Sequence, residues 1–172
     1  LNSVIYITIG TGVGVGIAIN GKLLHGMLHP EAGHIILNRH HEDHYEGFCP
    51  FHKTCLEGMA AGPAIEGRWN VKAITLKDRS EVWEMEAYYI AQALTSFIFT
   101  VSPQKIILGG GVMHQEQLFP LIREKTLKMV NGYINTKQLK DIDHYIVPAS
   151  LNDDQGIMGA IQLAKWAIGL DC

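Results

Sequence analysis

Val4-Ile5-Tyr6-Ile7-Thr8-Ile9-Gly10-Thr11-Gly12-Val13-Gly14-Val15-Gly16-Ile17-Ala18-Ile19-Asn20-Gly21-Lys22-Leu23-Leu24 sets the architecture. Residues 2–9 are β-branched and aromatic in loose alternation, the pattern of a strand. A glycine-rich turn leads to a second strand through Val15, Ile17, Ala18 and Ile19. Asn20-Gly21 is a two-residue hairpin signal that feeds a third short strand near Lys22–Leu24. The opening is therefore an antiparallel meander.

Downstream the pattern changes. Residues 25–55 are irregular and rich in histidine, and a loop of that length is functional or tied down. A short helix runs from Cys55 to about Ala61, and Gly62-Pro63 ends it and starts another. Ser80 is placed as the cap of a long helix from Glu81 to Val101, with Ile90, Leu94, Phe97 and Val101 on one stripe and Ala87, Ala91 and Phe99 widening it. A strand at Lys105–Leu108 ends in Gly109-Gly110-Gly111. A helix over about Gln115–Val130, a strand at His144–Val147 and a helix over about Asp153–Ile168 complete the chain. A meander followed by helix–strand–helix–strand–helix predicts an α/β domain. Its mixed sheet is parallel in the second half and covered by helices.

The chain has 172 residues, enough for one domain with its own core, and is 47% hydrophobic and 18% charged. A net charge of −3 gives no general attraction for nucleic acid or anionic lipid. No apolar run approaches the roughly 20 residues of a membrane span. The start at Leu1 carries no secretion signal and no methionine, and reads as the continuation of a longer protein. Three cysteines, Cys49, Cys55 and Cys172, are too few for a disulfide scaffold and point to a reducing, cytoplasmic setting.

Cys49 and Cys55 then need another role. Cys49-x-x-His52-x-x-Cys55 lets two thiolates and an imidazole converge on one ion, and His34 completes a two-cysteine, two-histidine set of the kind structural zinc prefers. His40, His41 and His44 compete with His34 for that fourth place. The alternative is two buried thiols beside surface histidines. A metal cross-link offsets the entropy of ordering a loop that has no ladder of its own. Four protein ligands leave no position for a catalytic water.

Three glycine turns are candidates for holding phosphate. Gly10–Gly16 joins two strands, so it is neither a Walker A loop nor a dinucleotide fingerprint, both of which open a helix. Its N–H groups and the Thr11 hydroxyl suit phosphate oxygens, although alternating glycines also serve tight hairpins and crowded strands. Gly109-Gly110-Gly111 ends a strand where α/β sheets bind ligands, and is equally readable as a plain connection. At Gly62-Pro63, helix N-terminal amides are a third candidate. Glu31, three residues before His34, and Glu57, two after Cys55, could accept hydrogen bonds from a polyol. A solvated loop charge and an early-helix charge are the alternatives for these two.

Taken together, Ile9-Gly10-Thr11-Gly12-Val13-Gly14, Glu31-Ala32-Gly33-His34, Cys49-Pro50-Phe51-His52-Lys53-Thr54-Cys55-Leu56-Glu57-Gly58, Ala61-Gly62-Pro63-Ala64-Ile65 and Ile106-Ile107-Leu108-Gly109-Gly110-Gly111-Val112 resemble the ROK family of sugar kinases and sugar-responsive repressors. The Cys-Pro-Phe-His run resembles its fructokinase branch. The resemblance implies a ribonuclease-H-like, actin-like ATPase fold in two domains. Residues 1–172 would be the C-terminal domain, with a zinc loop at 25–58. It implies that Thr11, Gly12, Gly62, Pro63, Gly110, Gly111 and Val112 meet magnesium-ATP, that Glu31, His34 and Glu57 hold the sugar, and that His34, Cys49, His52 and Cys55 bind zinc. It also implies a homodimer. The expected function is phosphorylation of a hexose, foremost fructose, with glucose or N-acetylmannosamine as other substrates and a non-catalytic repressor as the alternative. The family's catalytic aspartate belongs to an Asn-Asp motif in the first domain. Asp43, Asp78, Asp141, Asp143, Asp153 and Asp154 do not stand in that context, so no catalytic base is expected in this chain.

Overall fold

A computed structural model describes residues 1–151 and 154–169. Strands β1 (Val4–Ile9), β2 (Val13–Ile19) and β3 (Lys22–Leu23) form the expected antiparallel meander. Asn20 and Gly21 both have positive φ, 53° and 73°, the turn whose twist matches that of the flanking strands. β4 (Lys105–Gly109) pairs with β1 in parallel, and β5 (Ile146–Pro148) pairs with β4 in parallel. The sheet order is β3-β2-β1-β4-β5, mixed as predicted.

Period-two alternation sends Ile5, Ile7 and Ile9 into the core beside Ile106, Leu108 and Ile146, all buried. Each such side chain contributes about 1.5–3 kcal/mol relative to exposure. Val4, Tyr6 and Thr8, on the other face of β1, are only half-buried. Helices α1 (Leu56–Ala60) and α2 (Gly62–Trp69) follow the long loop, and α3 (Ser80–Thr100) fills the core with Ile90, Leu94 and Phe97.

Ser80 is the first residue of α3 and not its cap. Arg79 occupies the cap position without a side-chain hydrogen bond, and its guanidinium pairs with Glu81. Phe99 is about half exposed while Tyr89, Ala93 and Ile98 are buried, so the broad apolar band of α3 is turned relative to the expected one. A 3-10 turn at Gly111–His114 precedes α4 (Leu118–Val130), which therefore starts later than Gln115. The helical turns α5 (Lys137–Lys140) and α6 (Ile142–Tyr145) were not anticipated. His144 and Tyr145 are thus helical, held by His144 to Asp141 at 2.7 Å and by the Tyr145 hydroxyl donating to the Pro103 carbonyl at 3.1 Å. β5 starts only at Ile146.

The last helix, α7 (Gln155–Ala167), buries none of its residues and exposes Ile157, Met158, Ile161, Leu163 and Trp166. The expected start at Asp153, and Cys172, lie outside the described residues. Among the described residues no helix is long and apolar enough to cross a membrane.

Candidate functional site

The long loop returns twice to the same place. Leu37 N–H donates to the Thr54 carbonyl and Leu56 N–H to the Ile35 carbonyl, both at 2.9 Å, so residues 35–37 lie against 54–56. Lys53, at φ 55°, turns the chain back so that its N–H donates to the Cys49 carbonyl. Gly58 has to be glycine here, because a Cβ would stand 1.9 Å from the Lys53 carbonyl oxygen. These turns gather His34, Cys49, His52 and Cys55, whose ligand atoms all lie within 4.8 Å of one another. His34 Nδ1 is 3.5 Å from Cys55 Sγ and 3.9 Å from Cys49 Sγ, and His52 Nδ1 is 3.7 Å from Cys49 Sγ. With zinc bonds near 2.0–2.3 Å, neighbouring ligand atoms of a tetrahedron stand about 3.3–3.8 Å apart, so the four groups fit that ion with little adjustment. His40, His41 and His44 are not part of the cluster.

Both thiols are fully buried. Burial pushes Cys55 up to about 11, and Gly58 N–H donating to its Sγ at 3.3 Å only partly offsets this. Burial also opposes the Cys49 thiolate, but the N–H groups of His52 and Phe51 and the Cys55 thiol together hold it below the ordinary thiol value.

The three glycine turns meet. Gly62 N–H donates to the Gly10 carbonyl at 2.7 Å, and Gly10 N–H to the Gly12 carbonyl at 2.9 Å. A Cβ on Gly110, which has φ 89°, would lie 2.5 Å from the Ile9 carbonyl oxygen, so this close approach of two backbones requires glycine. Gly10, Thr11, Gly62, Pro63, Gly111 and Val112 line one cleft of about 690 Å³. Sequence reasoning missed its apolar wall of Ile65, Ile74 and Trp83. The Trp83 indole N–H donates to the Leu76 and Lys77 carbonyls at 3.1 and 3.0 Å, which holds the 3-10 turn carrying Ile74.

The free donors are in the β1–β2 turn, where the N–H groups of Thr11 and Gly12 have no partner among the described residues. The start of α2 offers none, contrary to expectation. Gly62 N–H is used by Gly10, Pro63 has no N–H, and Ala64 and Ile65 both donate to the Ala61 carbonyl. Gly62 and Pro63 therefore shape the cleft without supplying amides.

Glu57 reaches this turn from the metal side. Its Oε2 accepts from Val13 N–H at 3.1 Å, and a Cβ on Gly12 would stand 2.8 Å from that oxygen. Gly33 closes the same side, since a Cβ there would meet the Val13 carbonyl oxygen at 2.2 Å. His34, the next residue, is thereby held between the thiols and the turn. Glu31 is exposed and caps nothing with its side chain.

The sequence profile described as the ROK family matches residues 1–167. This chain belongs to the ROK family. A Bacillus subtilis protein is 52% identical over 169 residues, which is 98% of this chain and 56% of that protein. The fructokinase of Streptococcus mutans is 42% identical over 168 residues, 96% of this chain and 57% of the enzyme. The chain thus spans little more than half the length of the curated relatives it matches. The ROK hexokinase of Thermus thermophilus superposes with a TM-score of 0.73 at 23% identity, over 92% of this chain and 55% of that one. A ROK family transcriptional regulator, a homologue of the E. coli MLC protein, does so with 0.73 at 21%, over 99% and 48%. The fold is the actin-like ATPase fold that the resemblance implies.

Within the ROK domain, a second anchor of the loop had no sequence signal. Asp43 is buried, and its Oδ2 accepts from Arg68 Nε at 2.9 Å and from the Tyr89 hydroxyl at 2.6 Å. Its Oδ1 accepts from Tyr45 N–H at 2.9 Å. Arg68 also donates to the Met59 carbonyl at 2.9 Å and lies over the Tyr45 and Tyr89 rings. Burial, reinforced by the bond to Asp43, lifts the Tyr89 phenol well above its usual pKa, so it remains a donor. Residues 40–45 are thus pinned to α2 and α3 independently of the four metal-type ligands.

Proposed function

We propose that this chain is the nucleotide- and metal-binding part of an ATP-dependent hexose kinase, and that the whole protein converts fructose to fructose 6-phosphate. The carrying observation is that Glu57, bonded to Val13 N–H and lying against Gly12, stands at the same turn as the free N–H groups of Thr11 and Gly12, which sets a polyol-type acceptor near phosphate-type donors. The fructokinase relative supports the substrate. In this reading Gly111 and Val112 face adenosine together with Ile65 and Ile74, Gly110 frames that wall by its close approach to Ile9, and Thr11 and Gly12 hold phosphate oxygens. Glu31, His34 and Glu57 accept from sugar hydroxyls. The magnesium of magnesium-ATP neutralises charge that develops on the phosphates. The chemistry asks the protein chiefly for alignment and charge stabilisation, with a base for the hydroxyl proton. That base is assigned to an Asn-Asp motif in the rest of the protein.

Zinc on His34, Cys49, His52 and Cys55 fits the donor set, and would hold the loop ends in place of a ladder. It takes no part in phosphoryl transfer. The test is a coupled assay on the full-length protein with fructose, glucose and N-acetylmannosamine. Fructose is expected to give the highest kcat/KM, and ATP-dependent turnover of none of them would overturn the reading. The regulator of the same fold makes a sugar-sensing repressor the second reading. A helix-turn-helix upstream would favour it, and an Asn-Asp motif the kinase.

A further inference from the structure

We propose that Glu57 is a positioning residue for the nucleotide phosphates as well as a sugar contact, so that one carboxylate joins the two substrates. The inference rests on the kinase reading above and adds a role to it.

Glu57 lies in the first turn of α1, two residues after Cys55 caps that helix. Its two oxygens have different surroundings. Oε2 accepts from Val13 N–H at 3.1 Å and lies against Gly12, close enough that any side chain there would strike it. Oε1 has no hydrogen bond among the described residues, so one oxygen is committed to the turn and the other is open to a hydroxyl group. The rest of the turn is held at its other points. Gly10 is tied to Gly12 and to Gly62, and Ile9 is packed under Gly110. Val13 N–H is the end of the turn on the metal side, and Glu57 holds it through a side chain from another element. Without that bond the turn keeps the Gly10–Gly12 bond and the pairing of Val13 with Ile9 but loses its one side-chain tie, which loosens the direction of the Thr11 and Gly12 N–H groups. A hydroxyl ligand on Oε1 would hold Glu57 in place and so order the donors for the phosphates. The absence of a side chain on Gly12 is what lets the carboxylate lie against the turn, since a Cβ there would push the end of Glu57 away.

The experiment is calorimetric titration of the full-length protein with magnesium-ADP and, separately, with fructose. Wild type, Glu57→Gln and Glu57→Ala are compared, each checked for wild-type zinc content and melting temperature. Gln keeps an oxygen acceptor for Val13 N–H and loses the charge; Ala loses both. With no sugar present, Glu57→Ala is expected to weaken magnesium-ADP about three- to tenfold, the worth of one hydrogen bond. Glu57→Gln is expected to bind magnesium-ADP within about twofold of wild type and fructose about tenfold or more weaker, because a charge-assisted acceptor is lost. Equal magnesium-ADP affinity in Ala and wild type would overturn the positioning role, as would equal loss in Gln and Ala. Failure of wild type itself to bind magnesium-ADP would instead overturn the kinase reading, so the two failures are distinguishable.

Discussion

Replacing Asp43 by alanine should destabilise this protein more than replacing any surface carboxylate. The side chain accepts three hydrogen bonds, from Arg68 Nε, the Tyr89 hydroxyl and Tyr45 N–H, and all are lost together. Arg68 would keep one acceptor, the Met59 carbonyl, with its guanidinium almost wholly out of water. Removing one member of a buried pair costs about 3–5 kcal/mol, against a total stability of about 5–15 kcal/mol for a domain. At about 2–4 °C per kcal/mol for a chain of this size, the melting temperature falls by roughly 6–20 °C. Urea unfolding of Asp43→Ala, Arg68→Met and the double variant measures both the cost and the coupling. The double variant should lose at least about 1 kcal/mol less than the sum of the singles, since they remove the same interaction. A cost under about 1 kcal/mol for Asp43→Ala, or simple additivity, would refute a tightly held node.

Four further outcomes are expected. Protein purified without added zinc should carry about one ion per chain and Cys49→Ser much less, and chelation should weaken fructose binding more than nucleotide binding; metal-free, well-folded material would count against the cluster. Glu86 is buried with no hydrogen-bond partner among the described residues, and burial raises its pKa well above 4.5. A carboxyl raised on folding destabilises as pH climbs above its unfolded value, so Glu86→Gln should melt higher than wild type at pH 8 and alike at pH 4; a constant gap would contradict this. Gly110→Ala, at φ 89° and against the Ile9 backbone, should lose nucleotide binding and about 2 kcal/mol or more of stability, read by titration and urea unfolding. The 172-residue chain alone should show no ATP-dependent fructose phosphorylation in a coupled assay, and measurable turnover would mean that a base lies within it.

Patterns that are local in sequence were readable. Alternation in β1, the Asn20-Gly21 turn and the Cys-x-x-His-x-x-Cys spacing each report a short-range constraint, and the sheet and the ligand cluster follow from them. The choice of His34 over His40, His41 and His44 holds, and its physical reason is seen only in three dimensions, where residues 35–37 lie along 54–56. The bond from Val13 to Glu57 and the Asp43 node join residues 25–46 positions apart by single side chains, with no periodicity to mark them. Element ends were misplaced where a side chain outside the element decides them. Arg79 pairing with Glu81 displaced the Ser80 cap, and the Tyr145 bond to Pro103 kept a helical turn where a strand was expected.

Helix α2 is held at both ends by unlike fastenings. Its first N–H grips the Gly10 carbonyl of the β1–β2 turn, and Arg68 in its last turn grips Asp43 and the Met59 carbonyl. Eight residues of helix make a rod about 12 Å long, so a small tilt forced at the Arg68 end reappears at the cleft. On the proposed kinase reading, a screen for lost activity would therefore recover changes around Arg68 that touch neither substrate. They would look like damage to the cleft while leaving every group that lines it intact.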